Sequence, residues 1–177
     1  MKLFVHLDVA CARWKKAFPK MAAKIEQAAA LAFLNAKKPA AFKGRNFEIA
    51  VILSNDSTIR KLNRDYRGKD KPTNVLSFPQ MQLRGLAEKD LDIFPARAAI
   101  PLGDVVLACG TVRREARAEG KNLENHTLHL VVHGVLHLLG YDHMKAKEAK
   151  AMEKLECDIL AALGYPDPYH DTTSKIR

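Results

Sequence analysis

Five of the seven histidines in this chain lie between residues 126 and 143. Within that stretch the string His133-Gly134-Val135-Leu136-His137-Leu138-Leu139-Gly140-Tyr141-Asp142-His143 sets two imidazoles four residues apart. On an α-helix that spacing puts both on one face, one turn apart. Gly140 then ends the helix and lets the chain turn back, so that His143 reaches the same point. Three neutral ring nitrogens converging in this way form a ligand set for a single first-row metal. Three protein ligands also leave one tetrahedral position for water or substrate, the arrangement of a catalytic rather than a structural site. Imidazole suits zinc best, and nickel, copper or manganese are compatible on ligand type.

The spacing H-x3-H-x2-G-x2-H repeats the zinc motif of metzincin proteases in all but one residue. Those proteases carry their base, a glutamate, directly after the first histidine. Here that position is Gly134. Peptide hydrolysis would have to draw a carboxylate from Asp104, Asp142 or a loop, so the protease reading recedes. His126 and His129 precede on the same helix face. His129 suits a hydrogen bond behind the ligands, an RNA contact or a base, and both residues equally suit a partly exposed helix face. Asp142 fits either an acceptor for a ligand's free N–H or a simple turn residue.

The elements that must position these residues can be read from periodicity. Leu3 to Val9 alternates as a strand. Pro19 opens an amphipathic helix over Met21 to Ala36. Lys37 to Arg45 is a loop, and Phe47 to Leu53 is a strand. Ser54-Asn55-Asp56 caps a helix running to about Tyr66. A turn between Gly68 and Pro72 leads to a short strand, Asn74 to Phe78, stopped by Pro79. Residues 80–101 form a long irregular excursion. Asp104 to Cys109 is a strand, and helices follow over Thr111 to Glu119, Asn122 to Leu139 and Lys145 to Leu163. Order ends at Pro166-Asp167-Pro168. The expectation is one α+β domain over 1–177, a small mixed sheet of about four strands with about five helices, and a zincin-like metal helix.

Composition narrows the classes further. At 177 residues and 47% apolar content the chain can bury a core without staples. The three cysteines, Cys11, Cys109 and Cys157, are unpaired by spacing and contain no CxxC, which argues against a disulfide framework and for buried apolar thiols. No apolar run approaches a bilayer-spanning length, and the N-terminus lacks a signal-peptide pattern. A soluble, cytoplasmic protein is expected. The formal charge is +9, of which residues 1–45 hold a net +8. Such a surface favours polyanions, nucleic acid among them, and serves simple solubility as well. Lys69, Lys71, Arg113, Arg114 and Arg117 are placed to follow an RNA backbone. Trp14, Phe42, Tyr66 and Tyr141 are the aromatics considered for base stacking, although most aromatics are core.

The string at 133–143 resembles the signature of the YbeY family of bacterial endoribonucleases and rRNA maturation factors. A second block is similar to that family: Leu62-Asn63 followed by Tyr66-Arg67-Gly68-Lys69-Asp70-Lys71-Pro72-Thr73-Asn74-Val75-Leu76-Ser77-Phe78-Pro79. So are Leu102-Gly103-Asp104-Val105 and the ending Leu163-Gly164-Tyr165. The blocks cover the chain from about residue 47 to 168, in the family's order.

The resemblance implies a metal-dependent, single-strand-specific endoribonuclease, a phosphodiester hydrolase. In the family this activity serves ribosome quality control and rRNA processing, notably the 3′ end of small-subunit rRNA. It makes His133, His137 and His143 the ligands of one Zn2+ or other first-row ion, and His133 and Arg67 the catalytic residues. Arg67 follows the aromatic residue of the N-x-x-Y-R block. As a planar, permanent cation it suits bidentate phosphate contact, and without that block it would read as a solvated helix-end arginine. Partners would be single-stranded RNA, rRNA and the small ribosomal subunit, with no membrane and no small-molecule substrate. Both a metal-activated water and a substrate 2′-hydroxyl are compatible with these residue types as nucleophile, and no side chain stands out as general base. A ribosome-associated assembly factor with a mainly structural metal site is the alternative from a different class.

Overall fold

Alternating burial marks the strands. In β1 (Leu3–Asp8) the residues Leu3, Val5 and Leu7 turn toward the core while Phe4, His6 and Asp8 face outward. In β2 (Asn46–Ser54) Phe47, Ile49, Val51 and Leu53 are fully buried. The computed structural model, which describes residues 1–17, 21–143 and 145–170, adds β3 (Val75–Pro79) and β4 (Ala99–Ala108). The four form one mixed sheet in the order β1-β2-β4-β3. β1 and β4 both run parallel to β2, and β3 closes the edge antiparallel to β4.

Six α-helices surround the sheet among the described residues: α1 (Ala12–Ala17), α2 (Met21–Asn35), α3 (Asp56–Arg67), α4 (Cys109–Ala118), α5 (Leu123–Leu138) and α6 (Ala146–Ala162). The expected α+β class holds. Helix α1 was not anticipated from periodicity, because six residues are too few to show it. Its anchor is Trp14, fully buried, whose indole Nε1–H donates to the Ser54 carbonyl at 2.9 Å. Pro19, expected to open α2, lies outside the described residues. Among the described residues, no helix is long and apolar enough to cross a membrane.

Strand β4 starts five residues before the expected Asp104. Pro101 argues against a central strand, yet here it pairs only with Glu48 of β2, at a register shift between Glu48 and Ile49. On the other side β3 reaches no further than the Pro79–Gly103 pair, so the missing N–H of Pro101 interrupts no second ladder. The excursion from residue 80 is thus shorter than expected and contains one turn of 3-10 helix, Glu88–Leu91. Its Leu91 is buried in the core.

Helix α5 packs against β3, β4, α2, α4 and α6. Leu128, Val131, Val132, Val135 and Leu136 are therefore buried, and the helix is apolar on most of its circumference. Asn122 caps it, its side-chain oxygen accepting from Glu124 N–H at 2.8 Å. The histidines sit on the remaining stripe.

Candidate metal centre

Gly140 stops α5 in a left-handed turn (φ 83°), a conformation that favours glycine. The Gly140 N–H donates to the His137 carbonyl and the Tyr141 N–H to the Leu136 carbonyl, both at 3.0 Å, which is a Schellman motif. The chain reverses there, and His143 comes back to the helix. The imidazoles of His133 and His137 have centroids 4.5 Å apart, and that of His143 lies 5.7 and 5.1 Å from them. One ring nitrogen from each of the three falls within 4.8 Å of the others. A cleft of about 310 Å³ between α5 and α6 opens onto His133 and His143.

Hydrogen bonds behind the rings decide which nitrogens face one another. The His137 Nδ1–H donates to the Tyr141 carbonyl at 2.9 Å, so the turn that ends α5 also sets this tautomer. The His133 Nδ1–H donates to Oε1 of Glu156 on α6 at 2.8 Å. A carbonyl and a carboxylate can only accept, so both Nδ1 atoms carry hydrogen and both Nε2 atoms carry lone pairs. Those two Nε2 atoms point at each other across 3.0 Å. Two lone pairs at that distance repel unless a cation lies between them. Tetrahedral bonds of zinc to imidazole would separate the nitrogens by about 3.3 Å. The donor set and its spacing fit a first-row divalent ion. Burial, then the neighbouring charges of His133 and His143, push the His137 pKa down to about 4, which keeps the ring neutral for ligation.

Glu156 is fully buried. Its second oxygen accepts from His129 Nε2 at 2.7 Å and from the Tyr169 hydroxyl. Burial on its own would raise this carboxyl, but the hydrogen bonds from His129 and His133 outweigh it and hold the pKa at about 2. His126 is likewise buried, its Nε2 3.0 Å from Glu115 Oε2 on α4. His126 therefore does not lie on a partly exposed face, whereas the His129 side chain, 12% exposed, does. His129 reaches His133 indirectly, through the Glu156 carboxylate that both share. Asp142 is the turn residue of the two readings: it accepts from the His143 backbone N–H at 2.7 Å and approaches that ring no closer than 4.0 Å.

The missing glutamate at position 134 has a steric cause. A Cβ on Gly134 would sit 2.5 Å from Val105 Cγ1 and 3.2 Å from Ser77 Oγ. Helix α5 presses on the sheet at this point, and the Ser77 hydroxyl donates to the Gly134 carbonyl at 3.1 Å. A longer side chain would have to displace Val105 or move the helix that carries His133 and His137.

Arg67 is the last residue of α3, exposed, with no hydrogen-bond or ion-pair partner among the described residues. Gly68 follows in a left-handed cap (φ 67°). The structure does not bring Arg67 into contact with the three histidines. Beside it Tyr66 is 72% exposed, packed edge-on against Phe78 with centroids 5.2 Å apart. The other aromatics considered for stacking are engaged elsewhere. Trp14 and Phe42 are core, and the Tyr141 hydroxyl accepts from Lys37 N–H at 2.8 Å. Nor does order end at Pro166–Pro168, since Pro168 is buried and Tyr169 reaches Glu156.

Glu156 and Glu115 were missed in the sequence. A signal for Glu156 existed: with Met152, Ile159 and Leu160 it falls on the buried stripe of α6, where an acid is costly unless paired.

The family model described as Endoribonuclease YbeY matches residues 9–164. The chain belongs to the YbeY family. A curated Endoribonuclease YbeY of Paramagnetospirillum magneticum is 46% identical over 165 residues, 93% of this chain and 94% of that one. The Endoribonuclease YbeY of Rhodopseudomonas palustris strain BisB18 is 54% identical over 124 residues, 70% of each chain. Among solved structures, the solution structure of TM1509 from Thermotoga maritima superposes with a TM-score of 0.52 at 22% identity, covering 98% of this chain and all of that one. That likeness establishes a shared fold. The YbeY match spans every element from α1 to α6 and contains all three histidines.

Proposed function

We propose that this chain is a metal-dependent endoribonuclease, a single YbeY-type domain that cuts single-stranded RNA. Its role would be cytoplasmic rRNA processing, at the 3′ end of small-subunit rRNA, and ribosome quality control, with the small ribosomal subunit as partner. One Zn2+ or other first-row divalent ion per chain would be held by His133, His137 and His143. The carrying observation is the pair of Nε2 lone pairs facing each other across 3.0 Å with His143 beside them. Membership of a family whose relatives are named endoribonucleases supports the substrate class.

When bound, such an ion supplies Lewis acidity toward a phosphoryl oxygen and a water acidic enough to ionise near neutral pH. The chain's own residues do the rest. Glu156 and the Tyr141 carbonyl keep hydrogen on both Nδ1 atoms, so the rings cannot turn away. Arg67, exposed and unpaired, offers a planar fork to a phosphate and to the charge that grows on it. Lys69 and Lys71 follow on the same segment, and Arg113 and Arg117 present further exposed cations on α4. Gly134 supports the nuclease over the protease reading, because the packing leaves no room for a base at that position.

The test is cleavage of a single-stranded RNA by wild type, His133→Ala and Arg67→Ala, each checked for fold and for metal content. Cleavage is expected to fall at least 100-fold in both variants, with metal lost only from His133→Ala. Equal cleavage by all three would sink the nuclease reading, and the ribosome-associated assembly factor would take its place.

A further inference from the structure

One turn before His133 along α5, a cavity of about 330 Å³ opens beside the metal centre. Its walls come from His126 and His129 of α5, from Asn122 and Asn125 at the start of that helix, and from Pro166 and Pro168 of the returning chain. The site histidines do not line it, and the metal chemistry does not use it. His129 belongs to both places, since its Nε2 donates to Glu156, whose other oxygen holds His133. The His129 and His133 ring centroids are 6.3 Å apart.

We infer that this cavity is a nucleobase subsite, which seats one base of a single-stranded RNA next to the scissile position. The inference rests on the nuclease reading above and names where that substrate is gripped. Three features favour a base over any other part of RNA. First, the walls are flat: two prolines and two imidazoles offer faces on which a planar ring stacks. Second, two amides and a carboxylate, Asn122, Asn125 and Asp167, line it beside Lys121 and His170. Amides both donate and accept, as a base edge does, whereas a carboxylate repels a phosphate. Asp167 Oδ1 is already engaged by Tyr169 N–H at 2.8 Å and by the Cys157 thiol at 3.3 Å. Third, three arginines for the phosphates lie outside the cavity. Arg113, Arg114, Arg117 and Lys121 line an adjoining groove, and Lys121 borders both spaces. An RNA strand would thus run its phosphates along α4, turn one base inward at Lys121, and reach His133. Behind the cavity wall, His126 Nδ1 and His129 Nδ1 are buried and without a hydrogen-bond partner among the described residues.

The experiment titrates the zinc-loaded protein with AMP and with ribose 5-phosphate, followed by amide chemical shifts, and repeats both titrations on Asn125→Trp, which fills the cavity. Asn125→Leu, which removes only the amide, is carried alongside in case the larger substitution does not fold. Saturable AMP binding is expected, with shifts at Asn125 and His129. Ribose 5-phosphate should bind at least tenfold more weakly. Both variants should lose AMP affinity at least tenfold, with a similar rise in KM for RNA and with zinc content unchanged. Equal binding of the two probes, or AMP affinity retained by a folded variant, would overturn the subsite. Wild-type protein that binds AMP here and cleaves no RNA would overturn the nuclease reading and leave the subsite standing.

Discussion

Glu156→Gln changes one group behind the metal centre and almost nothing in volume. The carboxylate accepts from His133 Nδ1 at 2.8 Å, from His129 Nε2 at 2.7 Å and from the Tyr169 hydroxyl. A glutamine keeps one accepting oxygen and presents an NH2 in place of the other. The hydrogen bonds lose their charge assistance, falling from roughly 1.5–3 kcal/mol to about 1 kcal/mol each. Worse for ligation, an amide nitrogen turned toward His133 forces Nδ1 to accept. The ring hydrogen then moves to Nε2 and removes the lone pair that binds the ion. Zinc affinity should fall by about 10- to 100-fold, or about 1.4–2.7 kcal/mol. Competition against a chromophoric chelator reads this directly, with circular dichroism as the check on fold. Glu156→Asp keeps the charge one methylene short of both histidines, so it should recover only part of the loss. A folded Glu156→Gln protein that binds zinc within twofold of wild type would refute the role assigned to the carboxylate.

Two further outcomes follow from the packing and the titrating groups. Gly134→Ala gains about 1 kcal/mol of helix propensity but sets a methyl 2.5 Å from Val105 Cγ1, and overpacking of that kind costs about 1–3 kcal/mol. Its melting temperature should drop below wild type, and a value at or above wild type would remove the steric account of position 134. The metal-free protein should also weaken in acid. The folded pKa of His137, about 4, lies below its ordinary 6.5. Between those values the unfolded chain takes up a proton that the folded one refuses, so stability is lost as pH falls from 6.5 to 4. Glu156, held at about 2 against an ordinary 4.5, adds a second loss between pH 4.5 and 2. Urea midpoints measured at pH 7.5, 5.5 and 4 should decrease in that order, and a flat series would contradict the burial of His137.

The convergence of the three histidines was legible in the sequence because all of them come from one helix and its exit turn. Their spacing, 133, 137 and 143 with Gly140 between, is a local pattern that needs no knowledge of the rest of the fold. Strands β1 to β3 and helices α2 to α6 were equally readable from alternation, caps and glycine stops. The groups behind the ligands were not, because Glu156 and Tyr169 reach His133 and His129 from 23 and 40 residues away. Pro101 hid the first half of β4, since only tertiary pairing reveals that it is flanked by β2 alone, at a register shift. The space between α5 and Pro166–Pro168 likewise exists only once the chain has returned over the helix.

Sequence separation also divides the site in time. A fragment running from Leu123 to His143 contains all three candidate ligands, and contacts so local cost little loop-closure entropy. The acceptor for the His133 ring hydrogen belongs to α6 and arrives only when that helix docks. On the proposed metal reading, docking of α6 is then the step that fixes the His133 tautomer, and uptake of the ion would read out folding completed.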